Sequence, residues 1–196
     1  MPRTARRAQL LEAALEMFGR YGYHAAAMDD IAERAGVSKP VLYQHFPGKL
    51  DLYLALLDTS CDTVIAAVRA ALASTDVNKE RVAAAVDVFF TYVASDKAAF
   101  RLVFESDLTG ELPVRERVER VTTECAAAIA DVIHDDTGLP AAESQLVAVG
   151  LVGMAQVSAR WWVRTDPLVN QHAAVRLVSG LAWRGVRGFP RSHDAA

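Results

Sequence analysis

Cysteine is scarce: Cys61 and Cys125 are the only two in 196 residues, 64 positions apart. That spacing supports neither a disulfide framework nor a zinc-knuckle, and it fits a reducing compartment. Glycine (11) and proline (7) are too few for a low-complexity chain, and a hydrophobic share of 52% is too high for disorder. Long apolar runs are also missing. The longest, Leu146 to Ala155, covers 10 residues, where a membrane span needs about 20. The start Met1-Pro-Arg-Thr-Ala-Arg-Arg is basic like the front of a signal peptide, but Glu12 and Glu16 interrupt the apolar stretch behind it. Catalytic signatures are absent: no His-Glu-x-x-His, Gly-x-Ser-x-Gly, P-loop or dinucleotide fingerprint occurs. The histidines at 24, 45, 134, 172 and 193 are scattered, and none pairs with another at metal-ligand spacing. Asp135-Asp136, ahead of a glycine, reads as a solvated turn. These absences argue against an enzyme, a metal centre or a bound cofactor. They point to a soluble, cytoplasmic protein of one or two domains with no membrane partner.

Charge is present but unevenly spread. Residues 1–49 hold seven bases and five acids, and residues 50–196 hold the other 14 bases and 19 acids. A slightly basic head on an acidic body suits contact with a polyanion, though a difference this small also arises by chance.

The hydrophobic spacing is helical throughout. Leu11, Ala14, Leu15 and Phe18 repeat at three and four, until Gly19 and Gly22 interrupt. A short helix is expected over Met28 to Ala35, with Asp29 and Asp30 in its first turn, where the helix dipole favours acids. Gly36-Val37-Ser38 breaks it. Ser38 is placed to cap the next helix, Lys39 to Phe46, and Pro40 falls in the first turn, where a missing N–H costs little. Further helices are expected near 49–72, 78–95, 97–108, 113–135, 140–165 and 169–188, ahead of a short frayed tail from Pro190. No alternating strand pattern exceeds four residues. The expected fold is all-α with about nine helices.

Residues 28–46 carry the most information. Two helices of about eight residues joined by a glycine-containing turn form a helix-turn-helix. Leu42, Phe46 and Val37 can pack on Ile31, Ala32 and Phe18, which leaves Lys39, Pro40, Val41, Gln44 and His45 outward. Such a face offers a cation for phosphate, an amide for base edges and an apolar contact for a thymine methyl. Lys49, after Pro47-Gly48, can clamp a phosphate. On pattern alone, a helical hairpin with no DNA role remains open.

The string from Asp30 to Tyr53, containing Ala35-Gly-Val-Ser-Lys-Pro-Val-Leu-Tyr-Gln-His-Phe-Pro-Gly-Lys, closely resembles the DNA-binding head of the TetR family of bacterial transcription regulators. Ala13-Ala-Leu-Glu-Met-Phe-Gly-Arg-Tyr-Gly-Tyr-His-Ala resembles that family's first helix, so the match spans about residues 6–55. The resemblance implies a homodimer on a double-stranded DNA operator. Each chain would carry a three-helix head (1–48) and a helical ligand-binding and dimerisation domain (49–196). It places Lys39, Pro40, Val41 and Gln44 on the base-reading face, and Tyr43, His45 and Lys49 at phosphates. One departure stands out: Ala25-Ala26-Ala27 replaces the usual Thr or Ser before the second helix. Losing such a cap costs about 0.5–2 kcal/mol, so the contact at that end falls to backbone N–H groups or to Arg3, Arg6 and Arg7. Those arginines suit a DNA-binding arm and a solvated basic terminus equally well.

The rest of the chain must hold the control element. Leu57, Cys61, Val68 and Leu72 follow one helical stripe. Val82, Val86, Phe89 and Phe90 follow another, Phe100, Val103 and Phe104 a third, and Val118, Val121, Cys125 and Ile129 a fourth. Singly these read as bundle core; together they can also line an apolar pocket for a hydrophobic small molecule. The strings Phe100-Arg-Leu-Val-Phe-Glu-Ser-Asp and Val147-Ala-Val-Gly-Leu-Val-Gly-Met, with Gly22-Tyr-His-Ala-Ala, resemble a narrower group of the family, the actinobacterial regulators of fatty acid synthesis genes. That resemblance implies a tunnel for a long-chain acyl-CoA whose binding weakens DNA affinity, lined by Leu72, Phe89, Phe104 and Cys125. Another hydrophobic or drug-like effector is the alternative; more distantly, the chain is an acyl-CoA carrier without DNA binding. Arg115, Arg117 and Arg120 suit CoA phosphates, but interleaving with Glu116 and Glu119 favours a solvated face.

Small residues mark the last two long helices: Gly150, Gly153, Ala155 and Ala159, then Gly180, Ala182, Gly185 and Gly188. With Trp161, Trp162 and Trp183 as anchors, they suit a two-fold four-helix dimer interface, with packing inside one subunit as the other possibility. A dimer would set two heads about 34–36 Å apart, one turn of DNA.

Overall fold

The computed structural model describes residues 2–95, 97–104, 108, 110–164 and 168–186; the side chains of Lys97, Phe104 and Val186 lie outside that description. Among the described residues there are nine α-helices and no strand. The expected element over 97–108 is the shorter helix Lys97–Phe104, and the tail from Pro190 and Gly188 lie outside the described residues.

The chain divides into two compact units. The first comprises residues 1–62 and 96–118. It opens with α1 (Arg3–Ala25), which does not stop at the glycines: Gly19 stays helical, and Gly22 kinks the helix at φ 76°, a value open to glycine because it has no Cβ. α2 (Met28–Arg34) and α3 (Lys39–His45) follow, joined through Gly36 at φ 62°. Leu10, Ile31, Leu42 and Phe46 are almost fully buried; α2 packs on α1, and α3 packs on α2. α6 (Lys97–Phe104) also packs on α1. It approaches so closely at Gly19 that an added Cβ would lie 2.4 Å from the Ala98 Cβ, and Arg101 donates to the Gly19 carbonyl at 3.3 Å. Residues 49–62 of α4 (Lys49–Ala73) and 112–118 of α7 (Leu112–Thr137) complete the unit. There Arg117 Nε donates to Asp58 at 2.8 Å, and the Cys61 thiol donates to the Arg117 carbonyl at 3.6 Å.

The second unit holds the remaining parts of α4 and α7 together with α5 (Asn78–Ser95), α8 (Ala141–Arg164) and α9 (Gln171–Val186). α5, α8 and α9 pack on one another. The Phe90 and Trp162 rings lie 5.4 Å apart, and the Trp162 indole N–H donates to the Val169 carbonyl at 2.7 Å. Gln171 donates to Thr91 at 2.9 Å, which ties the start of α9 to α5.

α8 corrects one expectation. Counting uninterrupted apolar residues missed that this helix is, by length and composition, apolar enough to cross a membrane. Its inward residues Ser144, Ala148, Val152, Ala155, Ala159 and Trp162 recur at three and four and are buried within the unit, the pattern of a helix laid against α5 and α9.

Candidate nucleic-acid interface and apolar cavity

Local chemistry explains why α3 stands as it does. Ser38 occupies its N-cap position with extended backbone, but the serine side chain makes no capping bond; the Ser38 carbonyl accepts from the Val41 and Leu42 N–H groups instead. Pro40 sits in the first turn, where no intrahelical donor is lost. Ala27 likewise starts α2 with no side-chain cap, and its carbonyl accepts from Ile31. Leu42 is buried, so the register of α3 is fixed: Lys39, Pro40, Tyr43 and Gln44 are exposed, and Val41 and His45 are half-buried. Six of the seven residues proposed for DNA contact thus lie on α3, and Lys49 opens α4 just after it.

Several are engaged within the protein. The Lys39 ammonium pairs with Asp29 of α2 at 2.8 Å. Its hydrogen bond to Asp29 raises its pKa above the ordinary lysine value, so it is charged at neutral pH. Lys49 donates to the His24 carbonyl at 3.1 Å and lies 4.6 Å from the centre of the Tyr23 ring; partial burial lowers its pKa. Tyr23 is held by ring contacts to Phe18 and Tyr53. Spacing gave no sign of this cradle, because it joins residues 23, 24, 49 and 53 across the kink at Gly22. Arg3, Arg6 and Arg7 belong to the first turns of α1 rather than to an extended arm. Arg7 stacks 4.4 Å over the Phe46 ring, and Arg6 donates to Gln9, whose amide donates to the Ala35 carbonyl at the α2–α3 turn.

The second unit holds a partly open pocket of about 490 Å³. Its walls are apolar: Val82, Ala85, Val86 and Phe89 from α5; Ile129, Val132 and Ile133 from α7; Leu151, Val152 and Ala155 from α8; Ala182 and Trp183 from α9. Leu72, near the end of α4, joins them. The polar lining comes from Asp76 ahead of α5, from the first turn of α5 (Asn78, Lys79, Arg81) and from the end of α7 (Asp135, Asp136, Thr137). Asp135, exposed, and Asp136, half-buried, stand in the last turn of α7 beside the pocket.

Of the four expected ligand residues, Leu72 and Phe89 stand on the wall. Cys125 is buried on α7, one turn from Ile129, and is not part of the lining; burial pushes its thiol up to about 12. The Phe104 side chain lies outside the described residues. Arg115, Arg117 and Arg120 are absent from the lining, and Arg120 pairs with Glu124 at 3.4 Å.

The small residues of α8 and α9 separate into two sets. Ala155, Ala159 and Ala182 are buried inward, Trp162 packs on Phe90, and Trp183 lines the cavity. Gly150, Gly153, Gly180 and Gly185 border open space. Leu146, Val157 and Trp161 of α8 and Leu177 and Leu181 of α9, all more than 60% exposed, continue that outer stripe.

Comparison with known proteins agrees with this arrangement. Residues 10–56 match the model for bacterial regulatory proteins of the tetR family. The chain is 46% identical over 190 residues to the HTH-type transcriptional activator FasR of Mycolicibacterium smegmatis, covering 97% of this chain and 87% of that protein. Among solved structures, a TetR-like transcriptional regulator from Rhodococcus sp. RHA1 superposes with a TM-score of 0.72 at 25% identity, covering 96% of this chain and 99% of that one. FadR from Bacillus subtilis, solved in complex with stearoyl-CoA, superposes with a TM-score of 0.76 at 20% identity, covering 89% and 96%, which establishes likeness of fold. The chain belongs to the TetR family of DNA-binding transcriptional regulators.

Proposed function

We propose that this regulator controls genes of fatty acid or lipid metabolism and is released from its operator by a long-chain acyl-CoA. The carrying observation is the cavity of the second unit, whose apolar walls and one-sided polar lining suit a molecule with a long tail and a polar head. The resemblance of the body to fatty acid synthesis regulators supports the same reading, as does a shared fold with a protein solved holding stearoyl-CoA. Residues 1–48 serve as the DNA-binding domain and 49–196 as the ligand-binding and dimerisation domain. The exposed stripe of α8 and α9 serves as the homodimer contact, a patch of leucines, valine and tryptophan interrupted by glycines that admit close approach. The base-reading side chains are Lys39, Pro40, Val41 and Gln44, with Tyr43, His45 and Lys49 at phosphates. On the operator, Lys39 would exchange Asp29 for a phosphate, and Lys49 would leave the His24 carbonyl or hold the backbone in place beside it. Membership of a family of DNA-binding regulators supports a cytoplasmic location. A ligand coupling of about 1–3 kcal/mol suffices for a 5–150-fold change in operator affinity.

The test is fluorescence anisotropy on a labelled fragment of the gene's own upstream region, titrated with protein and then with acyl-CoAs of rising length. Release is expected to strengthen with chain length. Tight binding indifferent to every acyl-CoA would discard the lipid reading and turn the search to aromatic or drug-like effectors. Absence of salt-dependent DNA binding would favour a carrier. Phe89→Asp or Leu72→Asp should abolish acyl-CoA sensitivity with DNA binding intact, and retained sensitivity in both would remove the cavity from the mechanism.

A further inference from the structure

The polar and apolar parts of the cavity lining are segregated along its helices. On α5 the polar positions are Asn78, Lys79 and Arg81, and the wall then runs to Phe89. The eleven residue steps from Asn78 to Phe89 span about 16 Å of helix. On α7 the polar residues are Asp135 to Thr137, and the wall runs back to Ile129, eight residues or about 12 Å away. A tailed ligand therefore has its head at the 76–81 turn and its tail end near Phe89, Ile129 and Ala155.

At the polar end Arg81 is already committed. Its guanidinium donates to the Thr75 carbonyl at 2.7 Å, to Asn78 at 3.1 Å and to Asp76 at 3.1 Å. Among the described lining residues, Lys79 is the cation these bonds leave over, against Asp135 and Asp136. So charged a rim with one spare cation suits the neutral thioester and amides of a CoA arm, with the phosphates lying beyond it.

Folded proteins pack closely, so a pocket of about 490 Å³ reflects the small residues on its wall. Three alanines from three helices meet that description. Ala85 of α5, Ala155 of α8 and Ala182 of α9 are all buried, and all stand on the wall among Phe89, Leu151 and Trp183.

Resting on the acyl-CoA reading, we infer that Ala85, Ala155 and Ala182 set the length of acyl chain the regulator accepts. The pocket has a finite depth, so it accepts only a limited number of methylenes. Carbons beyond that number remain outside and add nothing. Ala155, nearest the tail end, is the residue with the greatest leverage.

The experiment measures dissociation constants for saturated acyl-CoAs from eight to twenty carbons, using the fluorescence of Trp183 and its fellow tryptophans or calorimetry. In the parent chain, affinity should rise about fourfold per methylene and then level off at one chain length. Ala155→Leu adds about three methylene volumes, so its plateau should move down by about three carbons, and its ligand-free melting temperature should rise because a void is filled. Ala85→Val should move the plateau by about two. An unchanged plateau in both variants overturns the inference while leaving the acyl-CoA reading in place. Lowered melting temperatures in both also overturn it, because they would mean that the alanines pack against protein and not against a void. Binding of no acyl-CoA by the parent chain takes down the acyl-CoA reading itself, and the inference with it.

Discussion

In the first unit Ile31, Leu42 and Phe46 are buried to 2% exposure or less and leave the polar residues of α3 on the surface, whereas in the second the partly exposed Leu72, Val82 and Trp183 border an open pocket of about 490 Å³. A reader of DNA needs its side chains held in one register, and close packing supplies that. A sensor needs space, and space costs stability until something fills it. The same chemical change should therefore have opposite signs in the two units: trimming a core residue weakens the head, while enlarging a wall residue stabilises the body.

The strongest way to break this comparison lies on the outer stripe of α8 and α9. Leu177→Glu with Leu181→Glu replaces two exposed leucines per copy, each worth about 1.5–3 kcal/mol when buried in a dimer. Sedimentation velocity at micromolar protein should show a monomer whose cavity still binds ligand; a dimer that survives would place the contact elsewhere. Next comes Leu42→Ala, expected to remove about 2–5 kcal/mol in urea unfolding because α3 loses its buried anchor. A loss below 1 kcal/mol would mean that the head is less tightly packed than its burial indicates. Gln44→Ala should then cost about 1–3 kcal/mol of operator affinity and relax the preference at one base pair, with stability unchanged. Equal weakening on every sequence would reassign Gln44 to the phosphate backbone.

The smallest effect concerns pH. Burial pushes the Cys125 thiol up to about 12, from an ordinary value of 9.0. The unfolded chain loses this proton above pH 9 while the folded chain keeps it, so the unfolded state binds fewer protons and stability falls between pH 9 and 12. The expected loss is about 1 kcal/mol per pH unit. Urea midpoints at pH 8 and pH 10 should therefore converge in Cys125→Ala relative to the parent; parallel shifts would show that the thiol ionises normally.

Legibility followed sequence distance. The helix-turn-helix could be read because Ile31, Gly36, Ser38 and Leu42 act within one short stretch, and helical spacing alone sorts them into core and face. Lys49 was harder: a position after Pro47-Gly48 suggested phosphate, yet its ammonium rests on the His24 carbonyl and the Tyr23 ring, partners set by a kinked helix 25 residues earlier. In the body, stripes predicted apolar faces but not which members border empty space. Cys125 and Ile129 share a stripe one turn apart, and Ile129 alone lines the cavity. Trp183 and Ala155 read as interface residues because small and aromatic residues mark interfaces and pocket walls alike, and the sequence carries no sign of which side of a helix meets a neighbour.

The sequence by itself determined the helical class, the order and approximate ends of the helices, the register of α3 and the membership of the family. All of these depend on contacts within a few turns of chain or on a contiguous motif. The tertiary structure alone decided that α6 packs on α1 at Gly19, that Ala155 and Ala182 point inward while Gly153 and Gly180 border open space, and that Asp76 and Asp135 meet the same cavity. Those outcomes depend on how helices far apart in sequence pack together, and helical periodicity fixes a face without naming its partner.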